Sequence, residues 1–497
     1  MQLDRLTPGM LIPFGGDRAV SVPAGLANEF RAGDMLVVCQ TDGALLHIPA
    51  DIRNAVRDDI SASSVAFKAL ATRSDIQIVA FFEAFADLLE DDAVWSRIVE
   101  ANACDVANAR ATGRSIGRLA LGSTARDGMI RGLRIWAASD GYRHADIDVR
   151  QHDGWTVSVS RAPVGIVGFI FEGRPNVFVD ATGVLRNGNT ALIRIGRDAS
   201  ETARCMMDHA IRPALSRSGL PDDAVRLITR QERAAAWAML SDRRLGVAVV
   251  RGSGPAVAQL GDVARQCGVA VSLHGTGGAW LVADAHADRA RFISAVAASL
   301  DRKVCNTLNV CCIDRARVAD LVPALLEGLE RAASPIGDFR IHVLEGSEDY
   351  LPPLLFSTVV KTTRDGGVVD EPVATMLPHE RLSTEWAWDE TPEISFVVVD
   401  GLEEAIALFD QHSPRFVASL ISENRTAQNR FFDALNAPFV GNGFTRWADG
   451  QYALDKPELG LSNWEQGRPL GRGAIMSGND MFSLRYRMEQ DDIDLRR

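Results

Sequence analysis

No apolar run in this chain approaches the ~20 residues that a membrane-spanning helix needs, so no membrane partner is expected. The first residues, Met1-Gln2-Leu3-Asp4-Arg5, lack the basic-then-apolar layout of a secretory signal, and a cytoplasmic location is expected. Cys-x-x-Cys pairs are absent and the nine histidines show no His-x-x-x-His spacing, so no metal site is expected. The seven cysteines, at 39, 104, 205, 267, 305, 311 and 312, form an odd set without paired spacing. That fits reduced thiols better than a disulfide framework. Excess positive charge is missing too: a formal charge of −12 argues against nucleic acid as a partner. Internal repeats and low-complexity tracts are also lacking.

What is present is an ordinary soluble composition, 46% apolar and 24% charged, over 497 residues. A chain of that length divides into two or three domains. Residues 1–60 read as a small N-terminal β unit, with Met10-Leu11-Ile12-Pro13, Met35-Leu36-Val37-Val38 and Ala44-Leu45-Leu46-His47-Ile48 as strands. It is either a structural appendage or a docking module. From 61 to 138 the pattern is helical: Ile76, Val79, Ala80, Phe82, Phe85, Ala86 and Leu89 recur at helical spacing. Trp155-Thr156-Val157-Ser158-Val159-Ser160 then alternates as a half-exposed strand.

Beyond 165 the signal changes. Gly165-Ile166-Val167-Gly168-Phe169-Ile170-Phe171 is a continuous apolar run, as in a strand buried on both faces. Further buried strands at 190–194, 225–228, 247–250 and 269–273 alternate with helical stretches. The alternation predicts a right-handed, largely parallel α/β sheet, which binds ligands outside the carboxyl ends of its strands. A second αβ region follows, with strands at 279–282, 308–313, 340–344, 394–399, 418–422 and 439–442. Residues 345–395 read as irregular.

Two stretches carry chemistry. Arg251-Gly252-Ser253-Gly254 ends a strand and opens a helix, where Gly252 and Gly254 let a cofactor phosphate approach the helix N-terminus. Val257 stands where a full Gly-x-Gly-x-x-Gly would place its third glycine, so a simple tight turn is the alternative. Cys305 lies between a helix and a strand, flanked by Lys303 and Asn306. A thiol there is a nucleophile if nearby cations hold it as thiolate, and a small buried hydrophobe otherwise.

Residues 65–487 resemble the γ-glutamyl phosphate reductase (glutamate-5-semialdehyde dehydrogenase) branch of the aldehyde dehydrogenase superfamily. The matching pieces are Ala162-Pro163-Val164-Gly165-Ile166-Val167-Gly168 leading into Glu172-Gly173-Arg174-Pro175-Asn176-Val177, then Val304-Cys305-Asn306. Arg446-Trp447-Ala448-Asp449-Gly450 and Glu458-Leu459-Gly460-Leu461-Ser462 follow in the same order. The resemblance implies an α/β fold with a Rossmann-type nucleotide-binding domain (61–146 and 163–272) and a catalytic domain (273–473). It also implies an oligomerisation hairpin and tail (147–162 and 474–497), with a homodimer or homotetramer expected.

The implied chemistry is attack of Cys305 on an acyl phosphate, then reduction of the thioester by NADPH, with NADH as the alternative cofactor, in the setting of proline biosynthesis. Asn176 and the Cys305 backbone N–H are the implied oxyanion donors. Arg194 is expected at the adenosine ribose or its 2′-phosphate, and Glu390 or Glu393 at the nicotinamide ribose. Glu172, Arg174, Asn306, Arg446 and Asp449 are expected to touch substrate or fix loops. Hydrolytic members of the superfamily place a water-activating Glu before a Gly-Gly; this chain has His274 in Leu273-His274-Gly275-Thr276-Gly277-Gly278. A reductase that must protect its thioester has no use for that base.

Departures from the family pattern are Ser413-Pro414-Arg415-Phe416-Val417-Ala418, Asp301-Arg302-Lys303 and Glu465-Gln466-Gly467-Arg468-Pro469-Leu470-Gly471-Arg472, together with residues 1–60. They point to a specialised acyl group. Two further readings stand beside the acyl phosphate: a CoA- or carrier-bound thioester as substrate, and a non-catalytic binder on the same fold. The N-terminal unit is the expected contact for a carrier protein or an upstream kinase.

Overall fold

The period-two alternation inside the run at 166–171 explains how one strand serves two cores. In the computed structural model, which describes residues 3–496 apart from 113, 115, 117, 118, 142, 144, 335, 336, 365, 366 and 462–474, the strand Ile166–Phe171 is buried throughout. Val167, Phe169 and Phe171 point to one face, against Phe81, Phe82 and Phe85 of the helix Asp75–Glu90. Ile166 and Ile170 point to the other, against Ile52, Val56 and Ile60 of the helix Ala50–Leu70 and Met239 of Arg233–Leu240. Successive side chains of a strand take opposite faces, so an unbroken apolar run needs cover on both. The first of those helices starts with a capping box between Ser74 and Gln77.

This strand lies at the centre of a five-stranded sheet in the order Val271–His274, Leu245–Arg251, Ile166–Phe171, Thr190–Ile195, Val225–Leu227. All its pairings are parallel. A second, seven-stranded parallel sheet runs Ala374–Leu377, Arg340–Leu344, Glu393–Val399, Leu308–Asp314, Ala279–Ala283, Val417–Ile421, Phe439–Gly441. The carboxyl ends of the first sheet meet the amino ends of the second, where the connection carrying Cys305 enters Leu308–Asp314.

The stretch at 345–395 is not irregular as expected. It holds an antiparallel hairpin, Val359–Arg364 with Gly367–Pro372, and the strand Ala374–Leu377 that extends the second sheet. These strands are short and partly exposed, so they lack the continuous apolar signal that marks the central ones.

At the amino end two hairpins, Leu11–Phe14 with Arg18–Ser21 and Met35–Val38 with Leu45–Ile48, flank the helix Ala24–Glu29. The helical pattern expected from 61 already starts at Ala50. Val37, Cys39, Leu46 and Ile48 join the core under Ala50–Leu70, and Thr41 Oγ1 donates to Asp262 at 2.6 Å. The unit is built onto the half of the molecule that carries the five-stranded sheet.

The third sheet is antiparallel: Asp146–His152, Trp155–Pro163 and Phe482–Gln490. It leaves Ile147, Val149, Leu484, Tyr486 and Met488 exposed. The family-like tail segment at 465–472 and Ser462 lie outside the described residues. Among the described residues no helix is long and apolar enough to cross a membrane, and no group of three metal-ligating side chains occurs.

One buried amide ties this sheet to the first. Asn189 Oδ1 accepts from the N–H groups of Val164 (2.7 Å) and Gly165 (3.1 Å), and its Nδ2 donates to the carbonyls of Met481 (2.7 Å) and Val184 (3.3 Å). Replacing it removes the side-chain partner of four backbone groups. Asn189→Ala is expected to lower the unfolding free energy by about 3 kcal/mol in denaturant titration, and to make the strand Phe482–Gln490 susceptible to limited proteolysis.

Candidate active site

Cys305 follows the helix Arg289–Ala298 and precedes the strand Leu308–Asp314. The turn around it is closed by its own residues. Thr307 is fully buried, and its Oγ1 accepts from Val304 N (2.9 Å) and donates to the Arg302 carbonyl (2.7 Å). On one side lies the loop 275–278. Gly278 N donates to the Cys305 carbonyl at 2.7 Å, and a Cβ on Gly277 would stand 2.6 Å from the Cys305 Cα. Only glycine permits that approach.

Glu385 clamps both pieces: its Oε2 accepts from Gly277 N at 2.7 Å, and its Oε1 pairs with Lys303 Nζ at 2.8 Å. Its neighbour Trp386 is fastened in turn, since Trp386 N donates to Asn309 Oδ1 at 2.9 Å. Sequence reasoning missed Glu385. It falls in the stretch taken as irregular, where no periodicity or motif singles it out.

On the other side of the turn, Asn306 Nδ2 donates to the Ala448 carbonyl at 2.9 Å, and Thr445 Oγ1 donates to the Asn306 carbonyl at 2.7 Å. Arg446 bonds Asn306 Oδ1 and pairs with Asp301 at 2.6 Å. Asp449 caps the short helix Gly450–Leu454 by accepting from Tyr452 N at 2.8 Å. Asn306 and Arg446 are thus brought beside Cys305, with their polar atoms engaged in holding its turn, while Asp449 is engaged in capping the next short helix.

Five other thiols, those of Cys39, Cys205, Cys267, Cys311 and Cys312, are pushed up by burial, Cys39 to about 11. Cys305 is half-buried and faces a cation, the Arg174 guanidinium. Burial disfavours the charge on Arg174, but Glu172 and then Cys305 outweigh it, and the guanidinium is held above its ordinary value. Arg174 Nε donates to Glu172 Oε1 at 2.6 Å. A cation beside the thiol favours thiolate.

Behind Arg174 lies a buried cluster at the carboxyl ends of the first sheet's strands. Arg251 is 3.6 Å from Asp180 and 3.8 Å from Glu458. Burial, reinforced by Glu458 and opposed by Arg251, pushes Asp180 up to about 7. Burial also raises Glu458. His274, edge-on to Phe416, is pushed down to about 3 by burial and by Arg251 and Arg174. It is therefore neutral and a very weak base. Sequence reasoning did not single out Asp180, although a charged residue in an otherwise apolar helical stretch was its signal.

Asn176 heads the helix Val177–Thr182, exposed, with no side-chain capping bond. Gly252 and Gly254 stand at the amino end of the helix Gly254–Gln266, whose cap residue Ser253 makes no side-chain bond. A Cβ on Gly254 would stand 2.2 Å from Thr276 Oγ1, so the close packing of the two loops requires glycine there. The open first turn suits a dinucleotide's pyrophosphate.

Arg194 is turned inward. Its guanidinium donates to the carbonyls of Gln231 and Glu232, both at 3.1 Å, and its Nε is buried without a partner. Arg197, just past the same strand, is exposed and has no ion-pair partner among the described residues.

Glu390 is exposed and takes no part in the contacts around Cys305. Glu393, the other glutamate weighed for the nicotinamide ribose, is 1% exposed. It is held by Arg340 (3.1 Å), His342 (2.9 Å) and Arg364 (2.6 Å), which binds it into a structural network.

A family model described as the aldehyde dehydrogenase family matches residues 35–338. The chain is 32% identical to a gamma-glutamyl phosphate reductase of Rhizorhabdus wittichii over 391 residues, 76% of this chain and 82% of that protein. It is 28% identical to the gamma-glutamyl phosphate reductase of Brucella anthropi over 468 residues, 92% of this chain and 99% of the relative. In fold it is similar to the crystal structure of gamma-glutamyl phosphate reductase from Thermotoga maritima, with a TM-score of 0.74 and 22% identity over 89% of this chain and 100% of that one.

The tight approach of Gly277 to Cys305 gives a direct prediction. Gly277→Ala should displace the Cys305 turn while leaving the distant cores alone. Alkylation of Cys305 by iodoacetamide is expected to slow at least about tenfold, a barrier change of about 1.4 kcal/mol, with the melting temperature shifted by only a few degrees.

Proposed function

The chain belongs to the aldehyde dehydrogenase family of oxidoreductases, and we propose that it reduces an amino-acid acyl phosphate, γ-glutamyl phosphate or a close analogue, to the semialdehyde. The observation that carries this reading is the pairing of Cys305 beside Arg174 with a neutral His274 at the end of the neighbouring strand. The first arms a nucleophile. The second withholds a base from water. Relatives named gamma-glutamyl phosphate reductase, matched over most of both chains, support the acyl phosphate as substrate class.

In this mechanism the Cys305 thiolate attacks the acyl carbon and the C–O bond to phosphate breaks, leaving a thioester and free phosphate. A nicotinamide dinucleotide, when bound, would supply the hydride for reduction of the thioester carbonyl. The C–S bond then breaks, releasing aldehyde and returning the electron pair to Cys305. The oxyanion of each tetrahedral stage needs donors already in place. The uncommitted Asn176 amide and the backbone N–H of Cys305 are suited to that role. His274 cannot accept a proton from water near neutral pH, so the thioester survives until it is reduced.

The amino end of Gly254–Gln266 would hold the dinucleotide, with Gly252 and Gly254 allowing the approach of its phosphates. Arg197, in place of the inward-turned Arg194, is the guanidinium available to a 2′-phosphate, which favours NADPH. The exposed apolar side chains of the three-stranded sheet support self-association of this chain. The N-terminal unit packs on the nucleotide-binding half, which supports a structural part rather than a dock for a carrier protein.

The deciding experiment follows phosphate- or arsenate-dependent reduction of NADP by glutamate-5-semialdehyde, wild type beside Cys305→Ala. Turnover that disappears in the variant is expected. Turnover without phosphate, or turnover surviving in Cys305→Ala, overturns the reading. For the cofactor, Arg197→Ala should raise KM for NADPH about tenfold, the effect of losing one charge-assisted contact, and leave KM for NADH unchanged.

A further inference from the structure

A cavity of about 340 Å³ lies on the second sheet, beside the first residues of Arg340–Leu344 and Glu393–Val399. None of the side chains that hold the Cys305 turn lines it. One wall is flat: the rings of His342 and Trp386 stack with centroids 3.4 Å apart and 12° between their planes. Met376 and Leu377 add apolar surface to the lining. A volume of this size suits a small organic molecule.

Two carboxylates and three guanidiniums line the same cavity. The carboxylates are already covered. Glu393 Oε1 accepts from Arg364 at 2.6 Å, and its Oε2 bonds Arg340 at 3.1 Å and His342 at 2.9 Å. Glu371 Oε2 accepts from two nitrogens of Arg364, at 2.6 and 3.1 Å, and pairs with Arg340 at 3.0 Å. All three nitrogens of Arg364 are spent in these bonds. Burial, against the pull of Glu393, holds His342 below its ordinary value, so the ring adds no charge near neutral pH. Three cations against two carboxylates leave one positive charge in excess.

That excess has donors to spare. The Arg340 side chain is only 5% exposed; its Nε donates to the Pro372 carbonyl at 3.0 Å and its Nη1 to Glu393, while its Nη2 makes no bond among the described residues. Arg381 is exposed, and its guanidinium has no hydrogen bond or ion pair among the described residues. An unbonded donor on a side chain as buried as Arg340 is costly unless a ligand brings an acceptor. One excess charge matches a single carboxylate rather than a phosphate dianion, and a guanidinium presents its donors in the spacing of two carboxylate oxygens. We propose that this cavity binds a small organic monocarboxylate, with the carboxylate on Arg340 Nη2 and Arg381 and the hydrocarbon part against Trp386, Met376 and Leu377. The site is independent of the acyl-transfer reading.

The test is calorimetric titration of the full chain at pH 7 with 4-methylpentanoate and with 4-methylpentanamide, which has the same shape and no charge. The acid is expected to bind at about tenfold lower concentration than the amide. Arg381→Ala should erase that difference; the side chain is exposed and bonds nothing, so its loss leaves the fold intact. Met376 is 45% exposed on the lining, and Met376→Glu, which cancels the excess charge, should make the acid the weaker ligand of the two. Equal binding of acid and amide in wild type, binding of neither, or an undiminished difference in Arg381→Ala overturns the proposal. Inorganic phosphate binding more tightly than the acid, and losing that affinity in Arg381→Ala, overturns the choice of a monocarboxylate.

Discussion

The 2.6 Å that would separate a Gly277 Cβ from the Cys305 Cα is the constraint on which the rest of this site depends. Two loops from different strands pass each other there with no room for a side chain. Glu385 then joins them, one oxygen on the Gly277 N–H and the other on Lys303. On the opposite flank Asn306 and Thr445 hold the same turn through side-chain bonds to backbone, and Arg446 through side-chain bonds to Asn306 and Asp301. A side chain whose turn is fixed from both flanks needs no ordering before it reacts, which is where much of the advantage of a preorganised site arises.

The surrounding electrostatics separate two tasks by depth. Near the thiol, Arg174 presents a cation whose own charge is stabilised by Glu172 and Cys305. Deeper in, Asp180 and Glu458 share Arg251, and the same burial that raises their proton affinity keeps His274 neutral. One low-dielectric cluster thus sets a cation beside the Cys305 thiol and keeps the imidazole of His274 uncharged. In the proposed mechanism, reactivity at Cys305 and protection of its thioester have a common physical cause.

Much of the architecture was legible because burial on both faces leaves a simple trace. The runs at 166–171 and 308–313 are continuous and apolar, and each forms a central parallel strand. The strand Ala374–Leu377 and the hairpin before it left no such trace, being short and partly exposed. Cys305, Arg174 and the Gly252–Gly254 turn could be named from motifs. Arg194 was named for its place after a strand, yet its guanidinium turns inward to the carbonyls of Gln231 and Glu232. Glu385, far from Cys305 along the chain and without periodicity around it, could not be named at all.

The amino-acid sequence by itself determined the order of elements outside 345–395, the two parallel sheets, the cysteine proposed as nucleophile and the missing carboxylate at 274. These follow from local alternation and from residue identity, both of which a linear chain displays. Only the tertiary structure decided which charges meet: Glu385 with Lys303, Asp180 and Glu458 around Arg251, and Arg446 on the turn rather than in the open cleft. The partners in each pair lie on separate elements. Electrostatic energy falls with distance through space, and that distance is created by folding.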